Sequence, residues 1–396
     1  MPGALHGVRV IDLTGMVSGP SATMLLADQG ADVVKVENPA RGGDTTRGVS
    51  ANEHGLASSY LNNNRNKRSI AIDLKHSRGI EVLMRLVAGS DVLVQNFRPG
   101  VAERIGIGED DVRKHAPDII HVSISGFGAT GPYASKPVYD PLVQALSGLT
   151  TVQAGSDEAR PRLVRTIIPD KLTGIVAAQA IAAALFNRER TGEGQAIHVS
   201  MLDSVIAFLW GSDMESQTMV DHGIRQQHAQ SFIDLIYETS DGYISVAVQQ
   251  DKEWEALTRA LKRPEWLDDE RFRTPAGRQR HIDARLELTQ EVLKTATSAE
   301  WLERLEAEDV PCAPVLNRSE MIRHPQIAAN GIVTEHDHPL VGRVRQARPA
   351  ARFSKSDFEL REPGAQLGEN TDEILKEAGY DSGTIDTLRC AGVFGN

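Results

Sequence analysis

The stretch "GVRVIDLTGMVSGPSATMLLADQGADVVKVEN", residues 7–38, decides the fold of this chain. Its first part, Gly7 to Gly15, reads as a buried strand running into a glycine turn. "GPSATMLLADQGA" follows as a helix, and Pro20 is tolerated there because first-turn N–H groups have no helical partner to lose. "DVVKVEN" is a second apolar strand. Strand, helix and strand in this order imply two parallel strands joined by a crossover.

The same alternation continues outward. "SIAIDL" (69–74), a helix from about Ser77 to Ala88, "DVLVQNF" (91–97), a further helix and "DIIHVSIS" (118–125) follow one another. Over 125 residues this predicts the α/β class, with a Rossmann-like, doubly wound open sheet. "RTIIPDKLTGIVAAQAIAAAL" (165–185) then predicts an apolar helix reaching about Arg188, and "TGEGQAIHVSML" a turn and another strand. Near residue 225 the texture changes. "IRQQHAQSF" is polar, "DGYISVAVQ" is a strand after a turn, and Trp254 to Leu305 is mostly charged amphipathic helix, which predicts a smaller α+β domain. Val315 to about Pro363 is loop-rich with short strands, and the tail holds two short amphipathic helices.

Composition narrows the function classes. A chain of 396 residues exceeds one ordinary core and fits two or three domains. Its formal charge is 43 minus 54, or −11, which argues against non-specific nucleic-acid binding but leaves room for an anionic ligand in a locally basic cleft. The two cysteines, Cys312 and Cys390, offer no disulfide framework and no zinc spacing. The N-terminus enters a strand pattern with no basic and apolar leader, and the most apolar helix, Gly174 to Phe186, is too short to span a bilayer. The expectation is a soluble cytoplasmic protein with no membrane or nucleic-acid partner.

Several motifs suggest chemistry. "GFGATG" (126–131) fits G-x-G-x-x-G after a strand, yet "PYASKPVYD" follows where a phosphate-binding helix should start, so a tight loop is the better reading. Glu37 ends the second strand, where dinucleotide folds place a ribose-binding carboxylate, but the preceding loop has only Gly15 and Gly19. "HDHP" (336–339) lacks a third metal ligand and reads as a solvated turn. "NNNRNKRSIAIDLK" (62–75) puts Arg65, Lys67, Arg68 and Lys75 in or beside a strand, as phosphate contacts or as a solvated face. Asp170, between Pro169 and the apolar helix, is a natural N-cap. A helix N-terminus also favours an ionised carboxylate, which in a closed site can attack an activated acyl group. Local sequence leaves both roles open.

Together the motifs resemble the class III coenzyme A transferases, the formyl-CoA and carnitine-related family. The segments "VIDLTGMVSGPSATMLLADQGADVVKVE", "GDTTRG", "NRNKRSIAIDLK", "DVLVQNFRPGVAERIGIG", "IIHVSISGFGATGP", "YDPLVQALSGL", "PDKLTG", "TGEGQAIHVSMLD", "DVPCAPV", "HPLVGRV" and "LGENTDEIL" occur in family order from Val10 to Leu375. The resemblance implies that Asp170 is the nucleophile and that CoA moves from an acyl-CoA donor to a carboxylic acid through mixed anhydrides and an aspartyl-CoA thioester. It implies CoA contacts at Met16, Val17 and Ser18, at Ile72, Asp73, Leu74 and Lys75, at Asn96, Phe97 and Arg98, and at Arg104. Tyr139 and Asp140 match the family's tyrosine–acid pair beside the reacting centre. CoA is then a substrate, with no tightly bound cofactor and no metal.

The resemblance also implies an interlocked, ring-threaded homodimer. Its domains would be residues 1–200 as the CoA-binding part, 201–225 as a linker, 226–325 as the small domain, 326–365 as a return linker and 366–396 as helices completing the large domain. Three departures stand out: Asn38 replaces an arginine, for which Lys35 or Arg41 could substitute; "RQQHAQSF" replaces a glycine run; and Pro137 replaces a lysine, with Lys136 adjacent. The rival within the superfamily is an α-methylacyl-CoA racemase, but Tyr139 stands where that branch has its histidine. Arg41, Arg47, Arg162 and Arg165 are candidates for a second carboxylate on the acceptor. Succinyl-CoA with a dicarboxylic or hydroxy acid is a plausible pair.

Overall fold

The computed structural model describes residues 3–49, 52–53, 56–220 and 235–395. The chain forms two compact units, Met1–Ile224 with Ile332–Asn396, and Arg225–Gly331. In the larger unit, strands β1 (Arg9–Asp12), β2 (Asp32–Glu37), β3 (Lys67–Ala71), β4 (Val92–Gln95), β5 (Ile120–Ser125) and β6 (Ala196–Ser200) form one sheet. All neighbours are parallel and the order is β3-β2-β1-β4-β5-β6. The order reverses between β1 and β4, and the crevice beyond that switch point is where such sheets bind ligands.

Alternation along each strand feeds two cores. Val10, Val33, Val92 and Val94 pack with Ala22 and Leu26 of helix α1 (Ser18–Asp28). Ile11, Val34 and Leu93 face the other side, against Val82 and Leu86 of α2 (Ser77–Val87). Burial on both faces is what a parallel sheet needs. Three further helices follow in sequence: α3 (Asp140–Leu146), α4 (Ile168–Thr191) and α5 (Met201–Trp210). The tail returns as α6 (Thr371–Glu377) and α7 (Ser382–Cys390), whose Ile374, Leu375, Ile385 and Leu388 complete the α2 face.

Helix α4 is longer than the sequence reading allowed. It has 24 residues, enough by length and composition to cross a membrane, but Ala177, Ile181 and Ala184 are buried in the core it shares with α1. "HDHP" is also not a solvated turn. It ends a strand (Val333–His338) that pairs antiparallel with Gly342–Ala347, and His338 is buried, with Nε2 3.0 Å from the Gly364 carbonyl. Among the described residues no cluster of His, Cys, Asp or Glu could hold a metal ion.

The smaller unit has its own core. An antiparallel sheet of Ile236–Glu238, Tyr243–Val246 and Cys312–Pro314 packs against helices that include Asp251–Ala260 and Ser298–Ala307. Trp254, Trp266, Phe272 and Trp301 fill the space between them.

Candidate active site

The switch point is built from the β1–α1 and β4 loops. A Cβ on Gly19 would lie 2.4 Å from Thr14 Cβ, so only glycine lets α1 start hard against the end of β1. Met16, in the intervening loop, holds φ at 69°, a left-handed conformation that costs a side-chain-bearing residue energy. The loop is clamped from two sides. Asn96, just after β4, accepts from the Gly15 N–H (3.0 Å) and donates to the Gly15 carbonyl (2.8 Å). Beneath it, Lys35 donates to the Thr14 carbonyl (2.8 Å) and pairs with Asp44 (2.9 Å), whose other oxygen accepts from the Met16 N–H (3.3 Å). Burial would raise the pKa of Asp12, but the ammonium groups of Lys67 and Lys35 outweigh it and keep the carboxyl ionised.

Two adjoining cavities flank this loop and share Met16, Asn96 and Phe97 as walls. The larger, about 520 Å³, is also lined by Asn38, Arg41, Leu74, Lys75 and Arg104. The smaller, about 230 Å³, is lined by Ser18, Arg98, Lys136, Tyr139, Asp140 and Asp170. The larger cavity is lined by three cations, Arg41, Lys75 and Arg104, together with Glu37 and Asp44, whose charges Arg47 and Lys35 balance; the smaller sets Arg98 and Lys136 beside Asp140 and Asp170.

Asp170 is not the cap of its helix. Ile167 occupies that position without a side-chain bond, and Asp170 is the third residue of α4. Its carboxylate instead faces the backbone N–H and hydroxyl of Ser18, the first residue of α1, which favour its ionised form. That approach depends on Gly174, where a Cβ would lie 2.1 Å from Ser21 Oγ. Burial, then the charge of Asp140, push the Asp170 carboxyl up to about 6, against the pull of Ser18. Asp140 is buried; its Oδ2 accepts from the Asp170 N–H (3.4 Å) and its Oδ1 from the Gln144 amide (2.6 Å). Burial raises its carboxyl too, with those two donors opposing. Tyr139, 69% exposed, stands at the rim. The site therefore pairs a protected, weakly acidic carboxylate with a second buried acid, beside a groove able to hold a polyanion.

Comparison with known proteins decides the family. The model for CoA-transferase family III matches residues 5–371. The chain belongs to CoA-transferase family III. Succinyl-CoA:glutarate CoA-transferase of Mus musculus is 34% identical over 398 residues, covering 98% of this chain and 90% of the relative. Formyl-CoA:oxalate CoA-transferase of Streptomyces coelicolor is also 34% identical, covering 98% of this chain and 99% of the relative. The crystal structure of a CAIB/BAIF family protein from Brucella suis superposes with a TM-score of 0.83 at 30% identity, covering 96% of this chain and 100% of that one.

In this family III CoA-transferase, Met16, Ser18, Leu74, Lys75, Asn96, Phe97, Arg98, Arg104, Tyr139, Asp140 and Asp170 all line the paired cavities. Three expected contacts do not. Val17 caps α1 and is half-buried, Ile72 is fully buried in the core, and Asp73 is bonded to Val393 through its N–H and to the Lys75 N–H through its side chain. Of the four cations read as phosphate contacts or a solvated face, Lys67 and Arg65 are buried, Arg68 is tied up in a part-exposed ion-pair network, and Lys75 lines the cavity. Lys67 bonds Asp12, the Pro20 carbonyl and Asn64; Arg65 pairs with Asp28; Arg68 pairs with Asp32, Glu373 and Glu377.

Lys35 and Arg47 are buried as well, and Arg47 grips Glu37 with two nitrogens, which also removes Glu37 from any ribose role. Arg41 remains in the larger cavity, on the side where Asn38 stands. Arg162 and Arg165 line neither cavity. "GFGATG" starts no helix; a Cβ on Gly126 would meet Val138 at 2.3 Å, so the glycine brings Tyr139 close to the end of β5. "RQQHAQSF" lies outside the described residues. Gln144 went unread in the sequence, because a glutamine on a short helix carries no motif.

Proposed function

We propose that this enzyme transfers coenzyme A from an acyl-CoA donor to a carboxylic acid, with Asp170 as the nucleophile. The observation that carries the reading is the Asp170 carboxylate itself: set in the cavity with Asp140, facing Ser18 at the start of α1, and basic enough to have a pKa of about 6. In the first step it attacks the donor thioester carbonyl, expels CoA thiolate and forms a mixed anhydride. The thiolate then attacks the Asp170 carbonyl, releasing the donor acid and leaving an aspartyl-CoA thioester. The acceptor carboxylate attacks that thioester, and the thiolate returns to the acceptor acyl group. Each step exchanges one acyl bond for another, and Asp170 ends as a free carboxylate.

The nucleotide would lie in the larger cavity, where Arg41, Lys75 and Arg104 match its phosphates, with pantetheine passing Met16, Asn96 and Phe97. Tyr139 would close the rim, and Asp140 would act on Asp170. A racemase needs proton carriers on both faces of the α-carbon, and among the described residues no histidine lines the cavity holding Asp170. The relatives named above for glutarate and oxalate make a dicarboxylic acid the first acceptor to try. The assembly we propose is the interlocked homodimer, working in the cytoplasm, where the free thiols Cys312 and Cys390 stay reduced.

The test is intact-protein mass after mixing enzyme with succinyl-CoA and other acyl-CoAs, with no acceptor, and a separate hydroxylamine-treated sample in which the adduct becomes an aspartyl hydroxamate. A CoA-sized increase mapping to Asp170 and absent in Asp170→Ala is expected. No adduct with any donor, together with α-proton exchange from a 2-methylacyl-CoA in deuterated water, would transfer the assignment to the racemase branch.

A further inference from the structure

Gln144 sits one helical turn after Asp140 on α3 and is 2% exposed. Its amide is engaged on both sides. Nε2 donates to Asp140 Oδ1 (2.6 Å) and to the carbonyls of Val164 and Thr166 (3.3 Å each), while Oε1 accepts from the Val164 N–H (3.0 Å). Residues 164–167 lead straight into α4, and the Asp170 N–H returns to Asp140 Oδ2. The contacts close a ring: Gln144, the backbone before α4, Asp170, Asp140 and Gln144 again.

We infer that Gln144 is a positioning residue that fixes the paired carboxylates, holding Asp140 as the anion and Asp170 against Ser18. The chemistry of the side chain explains the choice. A carboxamide supplies the donors that Asp140 and two carbonyls require and the acceptor that the Val164 N–H requires. A hydrocarbon of similar size would leave Asp140 Oδ1 and the Val164 N–H without these partners, whereas the Thr166 carbonyl would keep the Ile168 N–H. A glutamate would keep the acceptor, lose the donors and set a third acid beside two.

The consequence is electrostatic. Two neighbouring carboxylates do not titrate independently. With Gln144 donating to it, Asp140 stays charged, and its charge helps keep Asp170 the more basic partner. The other groups facing the pair are Ser18 from α1, Lys171 from α4, and Arg98, Lys136 and Tyr139 on the cavity wall.

This inference rests on Asp170 being the nucleophile, and its test separates the two claims. The full-length enzyme and its Gln144→Leu and Gln144→Glu variants would be compared by pH–rate profile for CoA transfer. The Asp170 carboxyl would be titrated directly by carbon-13 NMR, assigned against Asp170→Asn. In Gln144→Leu, Asp140 loses its donor and takes up a proton more readily, so Asp170 titrates about one unit lower. In Gln144→Glu the added charge moves it higher. Both variants should lose tenfold to a hundredfold in kcat with KM for the acyl-CoA within about threefold, since the CoA groove is untouched.

A residue that merely packs would depress both variants without moving either titration. Coincident titrations in wild type and in whichever variants fold would overturn the inference. Should Asp170→Asn still turn over, the nucleophile assignment would fall, while the NMR titration would still judge Gln144.

Discussion

Asp170 illustrates a conflict between stability and chemistry at a single residue. Its carboxyl has a pKa of about 6 when folded and an ordinary value of 3.8. The raised value means the folded state prefers the protonated acid. The destabilisation is therefore fully present above pH 6 and disappears as pH falls towards 4. A shift of that size is worth about 3 kcal/mol. Asp170→Asn should raise the unfolding free energy by about that amount at pH 8 and by almost nothing at pH 4, measured by urea titration at each pH. It should also abolish turnover. A variant less stable than wild type at pH 8 would mean that the carboxylate is not strained. The nucleophile proposed above must be ionised to react, so wild-type activity should fall on the acid side with a midpoint near pH 6. A midpoint near 4 would place Asp170 in a far wetter site. The position of Asp170 before an apolar helix left a cap and a nucleophile both open, and of the two the fold excludes the cap. Its true partner, Ser18, was not readable, because the two are 152 positions apart and the nearer reading was a cap.

At the level of elements, the site depends on how closely α1 and α4 cross. Gly174 sits where a Cβ would meet Ser21 Oγ at 2.1 Å, Ser18 O at 3.0 Å and Ser21 Cβ at 3.2 Å. Gly174→Ala should push the helices apart, costing about 1–3 kcal/mol in chemical denaturation. It should also cut kcat at least tenfold, because Asp170 would withdraw from Ser18. Ser21→Ala in the same chain removes the worst contact but not the Ser18 carbonyl, so it should restore part of both losses. An unchanged Gly174→Ala enzyme would show that the crossing is loose. The sheet itself was legible, since each β–α unit announces itself within about thirty residues. The cations were not. Lys67, Arg65 and Arg68 read as phosphate contacts or as a solvated face, yet their partners come from Asp12, Asp28, Asp32, Glu373 and Glu377, on elements that only the folded sheet brings beside them.

For the whole molecule, the apolar surface of the larger unit bears on assembly. Ile175 and Phe186 of α4 are 58% and 64% exposed, and Phe208 and Trp210 of α5 are 57% and 48% exposed. Residues 175 and 186 are eleven apart, three helical turns, so they lie on one face of α4. Ile175 and Phe186 together offer an apolar stripe along α4 of the kind that partner surfaces bury. A second copy of the chain would cover it in the homodimer proposed above. Ring-threaded chains make a further demand on that dimer: they cannot separate by rigid-body dissociation, because one chain must open before the other leaves. Mass photometry at nanomolar concentration should therefore show dimers only. Two isotopically labelled preparations mixed under native conditions should exchange no subunits over days, and should exchange freely after unfolding and refolding together. Exchange within an hour at native pH would leave a dimer, but an unthreaded one. A monomer at nanomolar concentration that still transfers CoA would show that the site is complete within one chain.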